Sequence, residues 1–275
     1  MRRPEVEIGE LWAARAPLLY LVTVEEARAV AACRAAADAA DANLAVWSSQ
    51  RGLEPLAPSA RTPIGAIQAA LQAPAPLLAV LLDFHEALAD PAVVRTLRDA
   101  LPRLSAEGRC LVIVAPRLAL PDGLAAEAAV IRLPLPSEAE LETVLDALSP
   151  PPDVAREDRN RVLVAARGLT ETQARRAFGR ALHADPRLGK GAAALVLEEK
   201  KRILSRDLGL ELVETTEAAD ALGGLESFKA WMEERSLAFA ADARLYGLPP
   251  PRGVLLVGVQ GCGKSLAAKV AASQL

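Results

Sequence analysis

Five short, continuously apolar runs alternate with stretches of helical periodicity in the first half of the chain. They are Pro17–Val24, Leu44–Ser48, Leu77–Leu82, Cys110–Ala115 and Val130–Leu133. Strands that are apolar along their whole length are buried on both faces, as in parallel sheets covered by helices. The pattern predicts an α/β domain of about five strands over residues 1–136.

The sequence between these runs has the periodicity of helices. Helices are predicted over Glu25–Asp38, Ile64–Leu71 and Pro91–Leu104, and Arg51–Pro63, with three prolines and a glycine, is predicted to be a loop. Residues 137–203 contain no strand candidate and are predicted to form a helical subdomain. Its helices span Ser137–Leu148, opened by a capping box (SEAE), then Val154–Ala166, Thr170–Leu182 with Thr170 as N-cap, and Ala192–Leu204.

Residues 204–275 form a third segment with a different order of elements. An amphipathic helix is predicted over Leu225–Phe239, a strand over Gly253–Val257 and a helix over Lys264–Ser273. A βαβ unit needs about 30 residues or more. The printed sequence stops soon after Lys264, so the expectation is one strand and one helix of a further α/β module, and an incomplete fragment of a longer protein.

Composition excludes several classes of protein. Hydrophobic residues make up 52% and charged residues 24% of the chain, which is typical of a folded protein. A net charge of −3 and 3% aromatic residues indicate neither the basic surface nor the stacking side chains by which proteins bind nucleic acid. The three cysteines and two histidines are scattered, which excludes a disulfide framework and a histidine-rich metal centre. No signal peptide or membrane span is present, so a cytoplasmic protein without a membrane partner is expected.

The motif with a clear chemistry is Gly258–Ser265 (GVQGCGKS), which fits G-x-x-x-x-G-K-[ST] between a predicted strand and a predicted helix. Its glycines allow successive N–H groups to turn onto phosphate oxygens, and the helix adds the positive end of its dipole. Lys264 would reach the β- and γ-phosphates and Ser265 would ligate Mg²⁺. The motif predicts a phosphate ligand together with Mg²⁺; the alternative is a chance glycine-rich turn.

The residues around this motif resemble the entry to an AAA+ ATPase module. Gly247–Ser265 (GLPPPRGVLLVGVQGCGKS) is similar to that family's first strand and P-loop, and Ala221–Lys229 (ALGGLESFK) to its adenine-contact segment. The spellings GVQGCGKSLAAKVAA and LGGLESFKAWMEERSLAF resemble the hypothetical chloroplast reading-frame forty-six family. Val259 and Gln260 differ from the usual P-loop pair, and Ala221 stands where the family has aspartate.

The resemblance implies an ATPase that couples Mg·ATP hydrolysis to remodelling of a protein partner, as a homo-oligomer when intact. Lys264 is the implied catalytic residue and Ser265 the metal ligand. The implied nucleotide-binding residues are Leu222, Gly223, Gly258, Val259, Gln260, Gly261, Cys262, Gly263, Lys264, Ser265 and Leu266. A non-enzymatic interaction module with a vestigial P-loop is the alternative.

The first α/β domain is predicted to be P-loop-like without a working P-loop. Leu77–Glu86 (LLAVLLDFHE) resembles a Walker B strand, with Asp83 and Glu86 as metal- and water-supporting carboxylates. Thr23–Ala29 (TVEEARA), however, has no glycine and no Lys-Ser pair, and its two glutamates would repel phosphate. The helices after residue 136 would be its lid, and the alternative role of Asp83 and His85 is to cap the next helix.

Overall fold

The computed structural model describes residues 3–148, 151, 154–189, 191–208, 222–239, 243, 246–247 and 253–274. The chain divides into two compact units, Met1–Lys200 and Lys201–Leu275. The strands of the first unit are β1 (Leu18–Val22), β2 (Asn43–Ser48), β3 (Gly52–Glu54), β4 (Leu77–Leu82), β5 (Arg109–Ala115) and β6 (Ala128–Arg132). Helices α1 to α9 are Pro4–Ala13, Glu26–Ala39, Pro63–Gln72, Pro91–Ala106, Asp122–Ala125, Glu138–Asp146, Arg156–Ala166, Glu171–Ala184 and Ala192–Leu208, and a short 3-10 helix spans Phe84–Ala89.

The six strands form one sheet in the order β3-β2-β4-β5-β1-β6. All pairs are parallel except β2 with β3. Tyr20 in β1 lies opposite Ile113 of β5 and Val130 of β6. The predicted parallel α/β domain is therefore confirmed, and each of the five predicted strands is present.

Both faces of the sheet are buried beneath helices. Tyr20 and Ile113 pack in the layer beneath α3 and α4, whereas Leu19 and Val112 pack in the layer beneath α1 and α2. All four side chains are fully buried. Adjacent residues of a strand point to opposite faces, so a strand covered on both sides must be apolar throughout.

The predicted loop Arg51–Pro63 is wrong in part, because it contains β3. This strand is only three residues long and pairs antiparallel with β2. Because it includes a glycine and is followed by prolines, the hydrophobic pattern does not reveal it. The sequence analysis also did not predict helix α1. Its Pro4 lies at the start of the helix, where the missing N–H costs nothing, and Ile8 and Trp12 are its buried residues.

The four helices predicted after residue 136 are present as α6 to α9, and the described part of residues 137–203 contains no strand. The capping box is confirmed: Ser137 Oγ accepts from Glu140 N at 3.3 Å, and Glu140 Oε2 accepts from Ser137 N at 2.8 Å. Thr170 and Gln173 form the same reciprocal pair at the start of α8.

In the second unit, α10 (Glu226–Ser236) and a 3-10 turn at Leu237–Phe239 confirm the predicted helix, and α11 (Lys264–Gln274) follows the P-loop. The predicted strand Gly253–Val257 is wrong: these residues adopt no regular secondary structure. A strand needs a neighbour to accept and donate its backbone hydrogen bonds, and the described residues of this unit contain no strand. Leu255 and Val257 are consequently 87% and 85% exposed.

Helix α1 ends on a residue with unusual backbone geometry. Arg15 has φ +66°, in the left-handed region, at the position after the C-cap that glycine commonly fills. A side chain in this region costs about 1–2 kcal/mol. The Arg15 guanidinium lies 3.5 Å from the Ser105 carbonyl at the end of α4, and a cation there contributes about 0.3–1 kcal/mol. Capping alone therefore does not offset the backbone cost.

We expect Arg15→Gly to leave the free energy of unfolding unchanged or to raise it by about 1 kcal/mol, because glycine adopts positive φ without strain. Urea denaturation followed by circular dichroism measures the difference. Arg103→Gly, within α4, is the matched control and should lower the free energy of unfolding by about 1 kcal/mol. Equal losses in the two variants would contradict the strain at Arg15.

Candidate nucleotide-binding site

The three P-loop glycines occupy positions where a side chain is costly. Gly261 and Gly263 both have φ +84°, in the left-handed region. At Gly258 a Cβ would lie 2.7 Å from the Cys262 Sγ atom, which is closer than real Cβ contacts. The loop conformation therefore depends on glycine at each of these positions, and its backbone can approach a ligand closely.

Lys264 is the first residue of α11 and folds back over the loop. Its Nζ donates to the carbonyl oxygens of Gly258 at 2.8 Å and Val259 at 2.5 Å, and lies 3.6 Å from Cys262 Sγ. Among the residues that the structure describes, no carboxylate pairs with Lys264. The ammonium is thus held at the mouth of the loop by backbone dipoles, and its full charge is available to an anion.

The predicted adenine-contact segment lies beside the P-loop helix. Leu222 is buried in one apolar cluster with Met232 of α10 and Ala267 and Val270 of α11. Leu266 packs against the same cluster. The remaining predicted residues are exposed or half-buried: Gly223, Gly258, Val259, Gln260, Gly261, Cys262, Gly263 and Ser265. Ala221, where the family has aspartate, lies outside the described residues.

Ser265 offers a single exposed hydroxyl one residue after Lys264. The described residues contain no group of three or more His, Cys, Asp or Glu side chains that could hold a metal by themselves. Mg²⁺ keeps several waters and takes one or two protein ligands together with substrate phosphates. One hydroxyl beside a phosphate-binding loop therefore fits a Mg²⁺ that arrives with a nucleotide.

The equivalent turn in the first unit, between β1 and α2, has the opposite charge. Glu25 precedes α2, and its side chain is 7% exposed. Its Oε2 accepts from Arg28 Nη1 at 2.7 Å, and its Oε1 accepts from the backbone N–H of Glu171 at 2.6 Å. Glu171 is the first residue of α8, so the carboxylate lies at the positive end of that helix. A protein carboxylate thus lies at a helix N-terminus, a position that favours an anion.

Arg28 extends this contact to a second helix. Besides Glu25, it donates to the Pro134 carbonyl at 2.9 Å and to Glu140 Oε1 at 2.8 Å. Burial would raise the pKa of the Glu140 carboxyl, but the hydrogen bonds from Ser137 and Arg28 outweigh it and hold that pKa below its ordinary value. We call Glu25, Arg28, Glu140 and the Glu171 N–H the carboxylate tether. It joins the sheet edge to α6 and α8.

The candidate Walker B carboxylates do not form a matching site. Asp83 is exposed, with φ +53°, and its side chain makes no capping hydrogen bond, so the alternative capping role is wrong. Asp90 caps α4 instead, by accepting from Ala92 N at 2.8 Å. Glu86 is engaged by Arg117 at 3.0 Å and by His85 Nε2 at 3.1 Å.

Sequence reasoning missed the residues of the carboxylate tether. The spacing of Glu25 and Arg28 by three residues was a local signal of a helical ion pair. Nothing local connects position 25 with position 171, because their contact depends on how the helices after residue 136 pack. Arg175 pairs with Glu171 at 3.1 Å on an exposed helix face, and Arg176 is exposed beside it.

Comparisons with known proteins identify the class of this chain. Residues 5–133 match the family described as "SpoVK-like AAA ATPase, N-terminal domain", and residues 138–207 match "SpoVK-like AAA ATPase, second domain". These two matches define the class as AAA-type ATPases. The chain belongs to the SpoVK-like AAA ATPase family.

The relatives include the chloroplast reading-frame family. The "Uncharacterized AAA domain-containing protein ycf46" of Guillardia theta is 32% identical over 72% of this chain and 40% of its own length. That of Trieres chinensis is 29% identical over 98% of this chain and 56% of its own length. A "Proteasome-associated ATPase" of Beutenbergia cavernae is 39% identical over 44% of this chain and 21% of its own length. The chain thus spans about half the length of the ycf46 proteins that it matches.

A chain in the "Structure of E. coli MS115-1 HORMA:CdnC:Trip13 complex" has a similar fold. The TM-score is 0.50 at 12% identity, and the match covers 70% of this chain and 85% of that one. At this identity the likeness shows the fold alone. None of the described helices is long and apolar enough to cross a membrane.

We expect Glu25→Gln to lower the free energy of unfolding of the first unit by about 1.5–3 kcal/mol, because hydrogen bonds to a charged carboxylate are lost. Hydrogen exchange at the start of α8 should accelerate in this variant. Glu26→Gln, one residue further along and exposed, is the matched control. Unchanged exchange in α8 after Glu25→Gln would contradict the tether.

The lowered pKa of Glu140 gives stability that depends on pH. Its carboxylate stabilises the fold above the ordinary carboxyl pKa of 4.5, and this contribution is lost as the pH falls through the lowered folded value. The difference in unfolding free energy between the native chain and Glu140→Gln should be largest near neutral pH and disappear in acid. Urea denaturation across the pH range measures it. A difference that stays constant across the pH range would contradict the role of the Glu140 carboxylate.

Proposed function

We propose that the P-loop Gly258–Ser265 binds Mg·ATP, and that the intact protein couples ATP hydrolysis to remodelling of a protein partner. The observation that carries the proposal is the Lys264 ammonium. It lies at the mouth of a glycine-rich loop, bonded to two carbonyl oxygens and paired with no described carboxylate. An anion with several oxygens is the ligand that such a site would bind most strongly.

Each residue of the site has a proposed task. The backbone of Gly261 and Gly263 would donate N–H groups to phosphate oxygens, and Lys264 would exchange its carbonyl partners for the β- and γ-phosphates. Ser265 would ligate the Mg²⁺ ion that enters with the nucleotide; bound Mg²⁺ neutralises phosphate charge. Val259, Gln260, Cys262 and Leu266 would complete the loop around these groups.

The backbone of Leu222 and Gly223 is proposed to contact the adenine ring. Support comes from the cluster that joins Leu222 to Ala267 and Val270 on the P-loop helix, which fixes this segment beside the loop. Backbone groups can select adenine without a polar side chain, because the edge of the adenine ring presents both a hydrogen-bond donor and an acceptor. The exposed Gly223 leaves room for a base to approach.

The first α/β domain is proposed to work without nucleotide. The carboxylate tether supplies an internal anion where a phosphate would otherwise join the sheet edge to the following helices, and a buried glutamate would repel an incoming phosphate. We propose the division into residues 1–136, a lid-like subdomain at 137–203, and the beginning of an AAA+ ATPase domain at 204–275.

Hydrolysis is proposed for the intact protein and little or none for this chain alone. Phosphoryl transfer needs a water-positioning carboxylate as well as a P-loop, and the described residues place no carboxylate beside Lys264. A protein partner is proposed because one relative is named a proteasome-associated ATPase. A homo-oligomer and a cytoplasmic location remain predictions.

Lys264→Ala should abolish Mg·ATP binding to this chain, because the ammonium group at the mouth of the loop is removed. Isothermal titration calorimetry measures it, and hydrolysis by the intact protein should fall in parallel. Lys269→Ala is the matched control, since this lysine is exposed on the same helix. If neither the native chain nor the intact protein binds ATP, the P-loop is vestigial and the chain is an interaction module.

A further inference from the structure

The first unit has a cavity of about 450 Å³ beside the second half of α4 and the start of β1. Its lining includes Arg15, Arg95, Arg98, Leu101, Ser105 and Glu127. Three arginines and one glutamate therefore line a space whose volume lies within the range of small-molecule sites. None of these residues belongs to the proposed ATP site.

Two of the three guanidiniums have no ionic partner among the residues that the structure describes. Arg95 pairs with Asp99 one turn further along α4. Arg15 and Arg98 make no ion pair with any described residue, and neither does Glu127, although all three line the same cavity. Free charges of both signs in one cavity, not paired with each other, can bind a ligand that has an anionic group and a hydrogen-bond donor.

Both of these guanidiniums lie against a glycine of the backbone. Arg15 Nη1 lies over Gly108, where a Cβ would be 3.0 Å from it, and Arg98 Nη1 lies over Gly123, where a Cβ would be 3.5 Å away. Arg15 itself has positive φ, and its carbonyl accepts from Ser105 Oγ at 2.8 Å. An arginine at a position that suits glycine, with its backbone cost only partly offset by capping, indicates that its side chain has a further task.

We propose that this cavity binds a small organic anion, whose phosphate or carboxylate group is held by Arg15 and Arg98 and whose hydroxyl group donates to Glu127. The guanidinium fork matches both oxyanions with two parallel hydrogen bonds. Leu101 gives the ligand's carbon skeleton an apolar contact.

Calorimetric titration of the Lys264→Ala chain tests the proposal, since that background removes phosphate binding at the P-loop. Ribose 5-phosphate and citrate are the probes for the two oxyanions, and ribose is the uncharged comparison. Saturable binding of either probe with a dissociation constant of about 1 mM or below, and none of ribose, is the expected result. No binding of either probe overturns the proposal.

Variants then locate the binding. Arg98→Ala and Arg15→Gly should each weaken it about tenfold or more, the loss expected for charge-assisted hydrogen bonds. Arg103→Ala on the same helix, which pairs with Glu107 at 3.5 Å and does not line the cavity, should leave it unchanged. Because glycine suits the backbone of residue 15, loss of binding in that variant with an unchanged or raised thermal midpoint separates recognition from folding. Equal binding in the Lys264→Ala chain with and without Arg98→Ala would overturn the assignment.

Discussion

Burial of the central strands on both faces is the constraint on which the first unit depends. Because β1, β4 and β5 are apolar on both faces, two helical layers must cover them, and polar side chains are excluded from most of the sheet. The edge at the carboxyl ends of the strands remains for charged groups. Glu25 and Glu86 both follow strands at this edge, so the location of the chemistry is a consequence of the core.

The two units place opposite charges after similar sequence patterns. In each, an apolar run leads into a turn and then a helix, at Thr23–Glu25 in the first unit and at Gly258–Gly263 in the second. Where the turn has glycines and Lys264, the backbone can present N–H groups and a cation to an anion. Where it has Glu25, the anion is built into the protein and bonds to α8. A few side chains after an apolar run thus decide whether the turn presents positive or negative charge.

Local signals explain which predictions from the sequence hold. The capping box at Ser137, the left-handed glycines of the P-loop and the apolar strands all arise from residues a few positions apart, so short patterns reveal them. The contact between Glu25 and Glu171 spans 146 positions, and β3 depends on its partner β2 more than on its own sequence. Neither can be inferred from spacing, because the physical cause lies in tertiary packing.

The segment Gly253–Val257 also shows that a strand depends on tertiary contacts. Its composition strongly favours a strand, yet it forms none, because no described strand lies beside it. The P-loop that follows nevertheless has glycines in the left-handed conformation. The difference is physical: a strand takes its hydrogen bonds from other segments, while a helix and its preceding turn make theirs internally. Helix α11 needs only an apolar partner, which Leu222 and Met232 provide. Among the described residues, the glycine turn and α11 thus have their geometry although no strand lies beside them.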